Sequence, residues 1–328
     1  MSDPGAPVRV VFAGTPDVAV PALDALVDDP RVAVVGVLTN PARPRGRSGS
    51  PVDPPVAVRA HGLGLPVLQP VRPADARDAL AALDADVGAI VAYGALLPAD
   101  VLAVPRTGWV NLHLSLLPRW RGAAPVQHAV RAGDPVTGAT VFRLDEGMDT
   151  GPVLRRLEVP VPDDVDAGDL LVDLATRGAP VLVDGVLAAA AGEPGTPQPA
   201  IGATHAPRLL PADGVVVWDA PADVVARGIR AVTPRPGATT RGPRGTLKLA
   251  GATVAAGATG AAAATAAPGT VLGVEGDGVL VAAGPGTVRV ARIQPEGRRW
   301  TTAADVLRGR GLTVGDVLGP EGSEGVRR

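Results

Sequence analysis

The chain has 328 residues, more than one hydrophobic core usually organises, so two domains are expected. Hydrophobic residues make up 46% but aromatics only 2%, so the core must be built from Val, Leu and Ala. Cysteine is absent, which excludes disulfides, thiolate zinc sites, cysteine-ligated iron–sulfur clusters and cysteine nucleophiles. The amino terminus, MSDPGAPVRVVFAG, shows no basic segment followed by a long apolar one, and no run of about 18 apolar residues occurs anywhere. A soluble cytoplasmic protein without a membrane span is therefore expected.

Val8–Ala13 is a short apolar run that ends in Gly14-Thr15-Pro16 and is followed by an apolar helical pattern through Val27. That order predicts strand, tight loop, helix. Val32–Leu38 predicts a second buried strand, and the Pro, Gly, Arg and Ser of Pro41–Pro55 a long exposed loop. Ala74–Leu83 suits a helix. Val87–Tyr93, Trp109–Leu114, Thr137–Leu144 and Pro152–Val159 read as further strands. Asp169–Ala191 has helical apolar periodicity that Gly178 and Pro180 should kink or split. Short buried strands alternating with helices predict an α/β domain with a Rossmann-like, mainly parallel sheet over residues 1–191.

Residues 192–206, GEPGTPQPAIGATHA, read as a linker. Beyond them Ala222–Val232 suits one helix. Thr246–Ala255, Gly269–Val274, Gly278–Ala283 and Thr287–Ile293 are short strand-like runs parted by Gly-rich turns, which predicts a smaller β-rich barrel domain over 207–328. Low-complexity Ala256–Ala267 reads as a mobile loop. The net charge of −2 is unevenly spread. Residues 207–328 hold 15 Lys and Arg against 10 Asp and Glu, a net of +5, while residues 1–206 hold 16 against 23, a net of −7. A basic C-terminal part suits a polyanionic partner; ordinary charge scatter is the alternative.

The chemistry concentrates in NLHLSLLPRWRGAAP, Asn111–Pro125, and in DEGMDTG, where Asp149 lies. Asn111 and His113 are two apart and so share one side of an extended strand. When an amine attacks a carbonyl-type carbon, the charge that develops on oxygen can be met by the Asn111 amide and a protonated His113. Asp149 can hold His113 charged and oriented and help relay the amine proton. A structural Asn–His pair capping the strand end is the competing reading. Ser115-Leu116-Leu117-Pro118 mixes apolar surface with polar groups and suits a planar heteroaromatic ligand, or else plugs the core. Arg43, Arg45 and Arg47, at spacing two on the exposed loop, can track phosphates or lie simply solvated. FAGTP lacks both the dinucleotide and the P-loop glycine patterns, and His61, His128 and His205 have no metal-ligand spacing, so no metal is expected.

An ordered series of segments then carries a resemblance. VVFAGTPDVAVPALDAL, TNPARPRGR, VAYGALLP, NLHLSLLPRWRGAAPVQHAV, LDEGMDTGPVL, QPEGRRW and AADVLRGRGLTVGDVLG run from about residue 10 to 319. Over that span the chain resembles the methionyl-tRNA formyltransferase family of folate-dependent formyltransferases. The resemblance implies an OB-like C-terminal domain and transfer of formyl from 10-formyltetrahydrofolate to the α-amino group of methionine on initiator tRNA; separately, a monomer is expected. It implies that Asn111, His113 and Asp149 are catalytic, that Ser115, Leu116, Leu117 and Pro118 contact the folate, and that Arg43, Arg45 and Arg47 reach the tRNA acceptor stem. The chain departs from the pattern at Ser48-Gly49-Ser50, where the family often carries lysines, and in RLLPADGVVVW and TPRPG of the C-terminal part. Two other readings stand beside it: a formyltransferase for a small amine such as glycinamide ribonucleotide or an amino sugar, and a degenerate RNA-binding homologue.

Overall fold

The computed structural model describes residues 5–44, 49–255 and 265–319. In chain order the elements are β1 (Val8–Gly14), α1 (Val20–Asp28), β2 (Val32–Leu38), β3 (Arg43–Pro44), β4 (Pro51–Val52), α2 (Pro55–Gly62), β5 (Val67–Leu68), α3 (Arg77–Ala82), β6 (Val87–Val91), α4 (Ala99–Leu102) and β7 (Trp109–His113). They continue with α5 (Pro125–Ala132), β8 (Val136–Arg143), β9 (Val153–Pro160), α6 (Ala167–Ala190), α7 (Ala222–Ala231), β10 (Ala238–Gly242), β11 (Gly245–Val254), β12 (Val271–Glu275), β13 (Gly278–Ala282), β14 (Thr287–Pro295), β15 (Thr301–Thr302) and α8 (Ala303–Arg308). Two units are distinguished: one holds Met1–Gly122, Thr137–Val159 and Leu171–His205, the other Ala123–Val136, Pro160–Leu170 and Ala206–Arg328.

The first unit is built on a seven-stranded sheet in the order β5-β2-β1-β6-β7-β8-β9. The pairings from β5 through β7 are parallel, and β8 runs antiparallel to β7. Val10, Val11, Phe12 and Ala13 are all fully buried, because a central parallel strand is covered on both faces; this is why its sequence is a continuous apolar run rather than an alternation. α6 lies close to the sheet because two of its residues lack side chains. A Cβ at Gly178 would sit 3.2 Å from the Ala139 methyl and 3.3 Å from Leu112, and one at Gly185 would run into Val141. Parallel strands end on one edge, so the loops after β1, β6 and β7 gather where α/β sheets carry their sites.

In the second unit the sheet order is β10-β11-β14-β13-β12, antiparallel throughout, with β15 added to β14. Val225, Ala226 and Ile229 of α7 belong to one core with Leu249, Val281, Val290 and Ile293. The Trp218 indole N–H donates to Thr240 Oγ1 at 3.0 Å, which satisfies the one polar atom of a buried ring. The fold class read from the sequence, a mainly parallel α/β sheet followed by a strand-rich region, is the one observed.

Several elements differ from expectation. α6 runs unbroken through Pro180. Pro180 lies on the exposed face, so the Thr176 carbonyl that loses its helical partner is on the solvent side and can be hydrated. The long loop 41–55 carries a two-residue hairpin, β3 with β4, and then starts α2. The expected helix Ala74–Leu83 begins as a tight turn, Pro73–Ala76, before α3. The sequence reading did not anticipate α2, β5, α4, α5, β10, β15 or α8. Arg45, Arg47 and residues 256–264 of the low-complexity stretch lie outside the described residues.

Candidate active site

β7 carries the site to the sheet edge. Trp109, Val110 and Leu112 are buried and anchor the strand, leaving Asn111 half-buried and His113 only 6% exposed at its end. Asn111 is in register with Ile90 of β6 and Phe142 of β8, and His113 with Thr140 of β8. The Asn111 amide makes no hydrogen bond with any described residue, so its two N–H donors are available to a ligand.

His113 is held by backbone. Its Nε2 lies 2.8 Å from the Trp120 carbonyl oxygen. A carbonyl only accepts, so Nε2 carries the hydrogen and Nδ1 is the nitrogen left for chemistry. Nδ1 lies 3.7 Å from Asp149 Oδ2, beyond a hydrogen bond but within ion-pair range. Asp149 sits between β8 and β9 with φ +56°, and its Oδ2 accepts the Gly122 N–H at 2.8 Å. The turn after β7 therefore grips both partners, His113 through Trp120 and Asp149 through Gly122. This turn is anchored in its own right: Trp120 N donates to Thr204 Oγ1 at 2.9 Å and Arg121 N to Thr204 O at 2.9 Å.

The segment Ser115–Pro118 is divided between core and surface. Ser115 and Leu117 are 0% exposed. The Ser115 hydroxyl donates to Arg119 O at 2.6 Å, and Thr140 Oγ1 donates to Ser115 O at 2.6 Å while accepting from Leu117 N at 3.2 Å. Only Leu116 and Pro118 keep side-chain surface for a ligand. Of the predicted loop arginines, Arg43 is exposed on β3.

Sequence reasoning missed a polar knot at the same sheet edge. Asn40 Nδ2 donates to Thr15 Oγ1 at 3.0 Å and to Tyr93 O at 2.8 Å, and Thr15 Oγ1 donates to Tyr93 O at 2.8 Å. These bonds tie together the chain just after β1, β2 and β6. Gln69 Nε2 reaches both Asn40 O at 3.3 Å and Asp53 Oδ1 at 3.0 Å, and so closes the base of the arginine loop. A cleft of about 370 Å³ lies between Val153–Arg156 and Thr196–Pro199, and none of the predicted site residues lines it. Among the described residues no group of His, Cys, Asp and Glu is placed to hold a metal, and no helix is long and apolar enough to cross a membrane.

The end of β7 thus brings together a His–Asp pair and the Asn111 amide, the groups that could meet charge developing on a carbonyl oxygen. The chain belongs to the formyl transferase family: residues 8–186 match the family described as formyl transferase, and residues 208–311 match formyl transferase, C-terminal domain. It is 48% identical to the methionyl-tRNA formyltransferase of Acidothermus cellulolyticus, over 94% of this chain and 99% of that protein. It is 46% identical to the methionyl-tRNA formyltransferase of Streptomyces griseus, over 95% of this chain and the whole of that protein. The crystal structure of an N-formyltransferase from Helicobacter canadensis, in complex with folinic acid and dTDP-3-aminofucose, has the same fold. It covers 86% of this chain and 98% of its own, with a TM-score of 0.64 and 14% identity.

Proposed function

We infer that this chain is a methionyl-tRNA formyltransferase, moving the formyl group of 10-formyltetrahydrofolate to the α-amino group of methionine on initiator Met-tRNA. The observation that carries the reading is identity near one half to enzymes of that name along almost the full length, including the part that matches the C-terminal domain. In this reading residues 1–191 carry catalysis and folate binding, 192–206 connect, and 207–328 form an OB-like domain that holds the tRNA. The enzyme works as a cytoplasmic monomer.

The amine nitrogen attacks the formyl carbon, a C–N bond forms, and the carbonyl electron pair moves onto oxygen. The Asn111 amide, which has no partner among the described residues, donates to that oxygen. Contact between His113 and the reacting atoms runs through Nδ1, since Nε2 is engaged by Trp120. Protonated, Nδ1 donates to the same oxygen while Asp149 balances the charge and helps move the amine proton to the leaving nitrogen. The bond to N10 of the folate then breaks, giving formyl-Met-tRNA and tetrahydrofolate. A folate ring fits the partly exposed Leu116 and Pro118 and the backbone beside them, with Ser115 and Leu117 bracing the segment from beneath. Arg43, with Arg45 and Arg47, contacts phosphates of the acceptor stem.

The test is to incubate the protein with 10-formyltetrahydrofolate and, separately, Met-tRNA or glycinamide ribonucleotide. Formylation of Met-tRNA alone is expected, with activity falling steeply as salt is added. Formylation of the small amine instead, or tRNA binding without transfer, would overturn the reading.

A further inference from the structure

We propose that Gln198, in the Gly/Pro-rich connecting segment, is a positioning residue that sets the catalytic Asp149. The segment from Thr196 to Ala200 is exposed except at Gln198, which turns inward. Its Nε2 donates to Asp149 O at 2.9 Å and to Gly151 O at 2.8 Å. Its Oε1 accepts from Arg121 Nε at 3.2 Å and Nη2 at 2.7 Å. Both amide hydrogens and the amide oxygen are thus engaged, which fixes which way the amide points.

The consequence is geometric. Asp149 has φ +56°, a left-handed conformation that is uncommon outside glycine though better tolerated by aspartate than by most residues, so bonds to the flanking carbonyls help to hold it. Gln198 pins the carbonyls on either side of Thr150, and so the turn that aims the Asp149 carboxylate at His113. Arg121 lies directly between Trp120, whose carbonyl holds His113, and Gly122, whose N–H holds the carboxylate. Its guanidinium on Gln198 closes the circuit. Thr204 of the same segment accepts from Trp120 N and Arg121 N. The stretch from Gln198 to Thr204 is therefore part of the catalytic scaffold and not a passive tether. Displacement of a catalytic group by about 1 Å costs on the order of 100-fold in rate, so the clamp acts on turnover more than on binding.

The proposal rests on Asp149 being catalytic, and the experiment separates the two ideas. Steady-state kcat and KM for both substrates are measured for Asp149→Asn, Gln198→Glu, Gln198→Met, the two double variants and Glu193→Gln. Gln198→Glu is isosteric and keeps the Arg121 contact, but it sets a carboxylate oxygen against two carbonyls; Gln198→Met keeps only the shape. Each is expected to lower kcat about 10- to 100-fold with KM for both substrates within about twofold. On the Asp149→Asn background they should cost little more, because the group they aim is gone. Gln198→Glu should regain activity relative to wild type as pH falls and its carboxyl becomes a donor. Glu193→Gln, which removes only the ion pair between this segment and Arg155, should leave turnover unchanged. Wild-type turnover in Asp149→Asn would remove the site reading itself. A slow Asp149→Asn beside a wild-type-like Gln198→Met would overturn the positioning role alone, as would full additivity in the double variants or an equal loss in Glu193→Gln. If neither Gln198 variant folds, Arg121→Gln is measured in their place, with the same split between kcat and KM expected.

Discussion

Replacing Asn111 by Ala isolates the hydrogen bond proposed for the oxyanion at almost no cost to the fold. The side chain is half-buried at the end of β7, and its amide bonds to no described residue, so truncation strands no donor or acceptor elsewhere. Stability should change by less than about 1 kcal/mol, the scale of a partly buried polar truncation. The transition state loses one oxyanion donor, worth about 2.7–4 kcal/mol, so kcat should fall on the order of 100- to 1000-fold. Because the oxygen becomes charged only during reaction, KM for Met-tRNA and for the folate should stay within about threefold. Asn111→Asp, of the same shape but with a carboxylate where a donor is needed, should be slower still. Formylation of Met-tRNA at saturating substrates, with thermal unfolding of the same preparations, measures both quantities. Turnover of Asn111→Ala within about threefold of wild type would refute the oxyanion role. A rise in KM with kcat unchanged would reassign the residue to substrate binding.

Other outcomes follow from the same geometry. His113→Ala should lower kcat at least about 1000-fold, while losing the ring's hydrogen bond with the Trp120 carbonyl costs only about 0.5–1.5 kcal/mol in denaturant unfolding; wild-type turnover would remove the mechanism. Gly185→Ala should destabilise the protein by about 1–3 kcal/mol despite alanine's better helix propensity, because the added methyl meets Val141 across the sheet contact; a rise in Tm would show that α6 can move away. Burial pushes the Asp166 carboxyl from its ordinary 3.8 up to about 6, with Asp169 adding to the effect and Arg292 and Arg230 opposing it. The fold therefore binds that proton more tightly than the unfolded chain does. The resulting penalty is absent below about pH 4 and grows as pH rises to about 6, reaching at most about 3 kcal/mol. Asp166→Asn should accordingly gain stability relative to wild type between pH 4 and pH 7, on top of whatever constant offset the buried Arg230 imposes. A pH-independent difference in denaturant unfolding would count against the buried charge.

What the sequence revealed of this site depended on which atoms do the work. Asn111, His113 and Asp149 carry distinctive side chains, and the period of an extended strand alone puts the first two on one side. The carboxylate's arrival from a separate segment was also legible, because DEGMDTG is polar and turn-rich between two apolar runs. The groups that orient them are of another kind. The Trp120 carbonyl and the Gly122 N–H belong to the backbone, which every residue has, so no residue type announces them. The same limit applies to Ser115 and Leu117. Side-chain chemistry marked all four residues of Ser115–Pro118 for a ligand, but which of them turn inward is settled by the Thr140 hydroxyl on the neighbouring strand.

The connecting segment shows the limit most sharply. Gly and Pro report where a chain can turn, and Pro180 shows that even this is conditional, since on an exposed helix face the carbonyl that loses its bond is open to hydration. Composition cannot report what a turning chain is bonded to. GEPGTPQPAIGATHA has the make-up of a tether, yet Thr196 pairs with Val153, Gln198 holds the Asp149 turn, and Thr204 holds the turn that carries Trp120 and Arg121. A tether would tolerate lengthening by a few residues at small entropic cost. A segment that fixes the turns of Trp120–Arg121 and Asp149–Gly151 would not. Inserting Gly-Ser between Pro199 and Ala200 changes the spacing from Gln198 to Thr204 without touching either, and should lower kcat about 10-fold or more. The same insertion between Ala191 and Gly192, ahead of both the Glu193–Arg155 ion pair and the Thr196–Val153 pairing that hold the segment to β9, leaves the spacing from Gln198 to Thr204 intact and should cost clearly less. Equal losses at both places, or none at either, would return this stretch to the role its composition suggests.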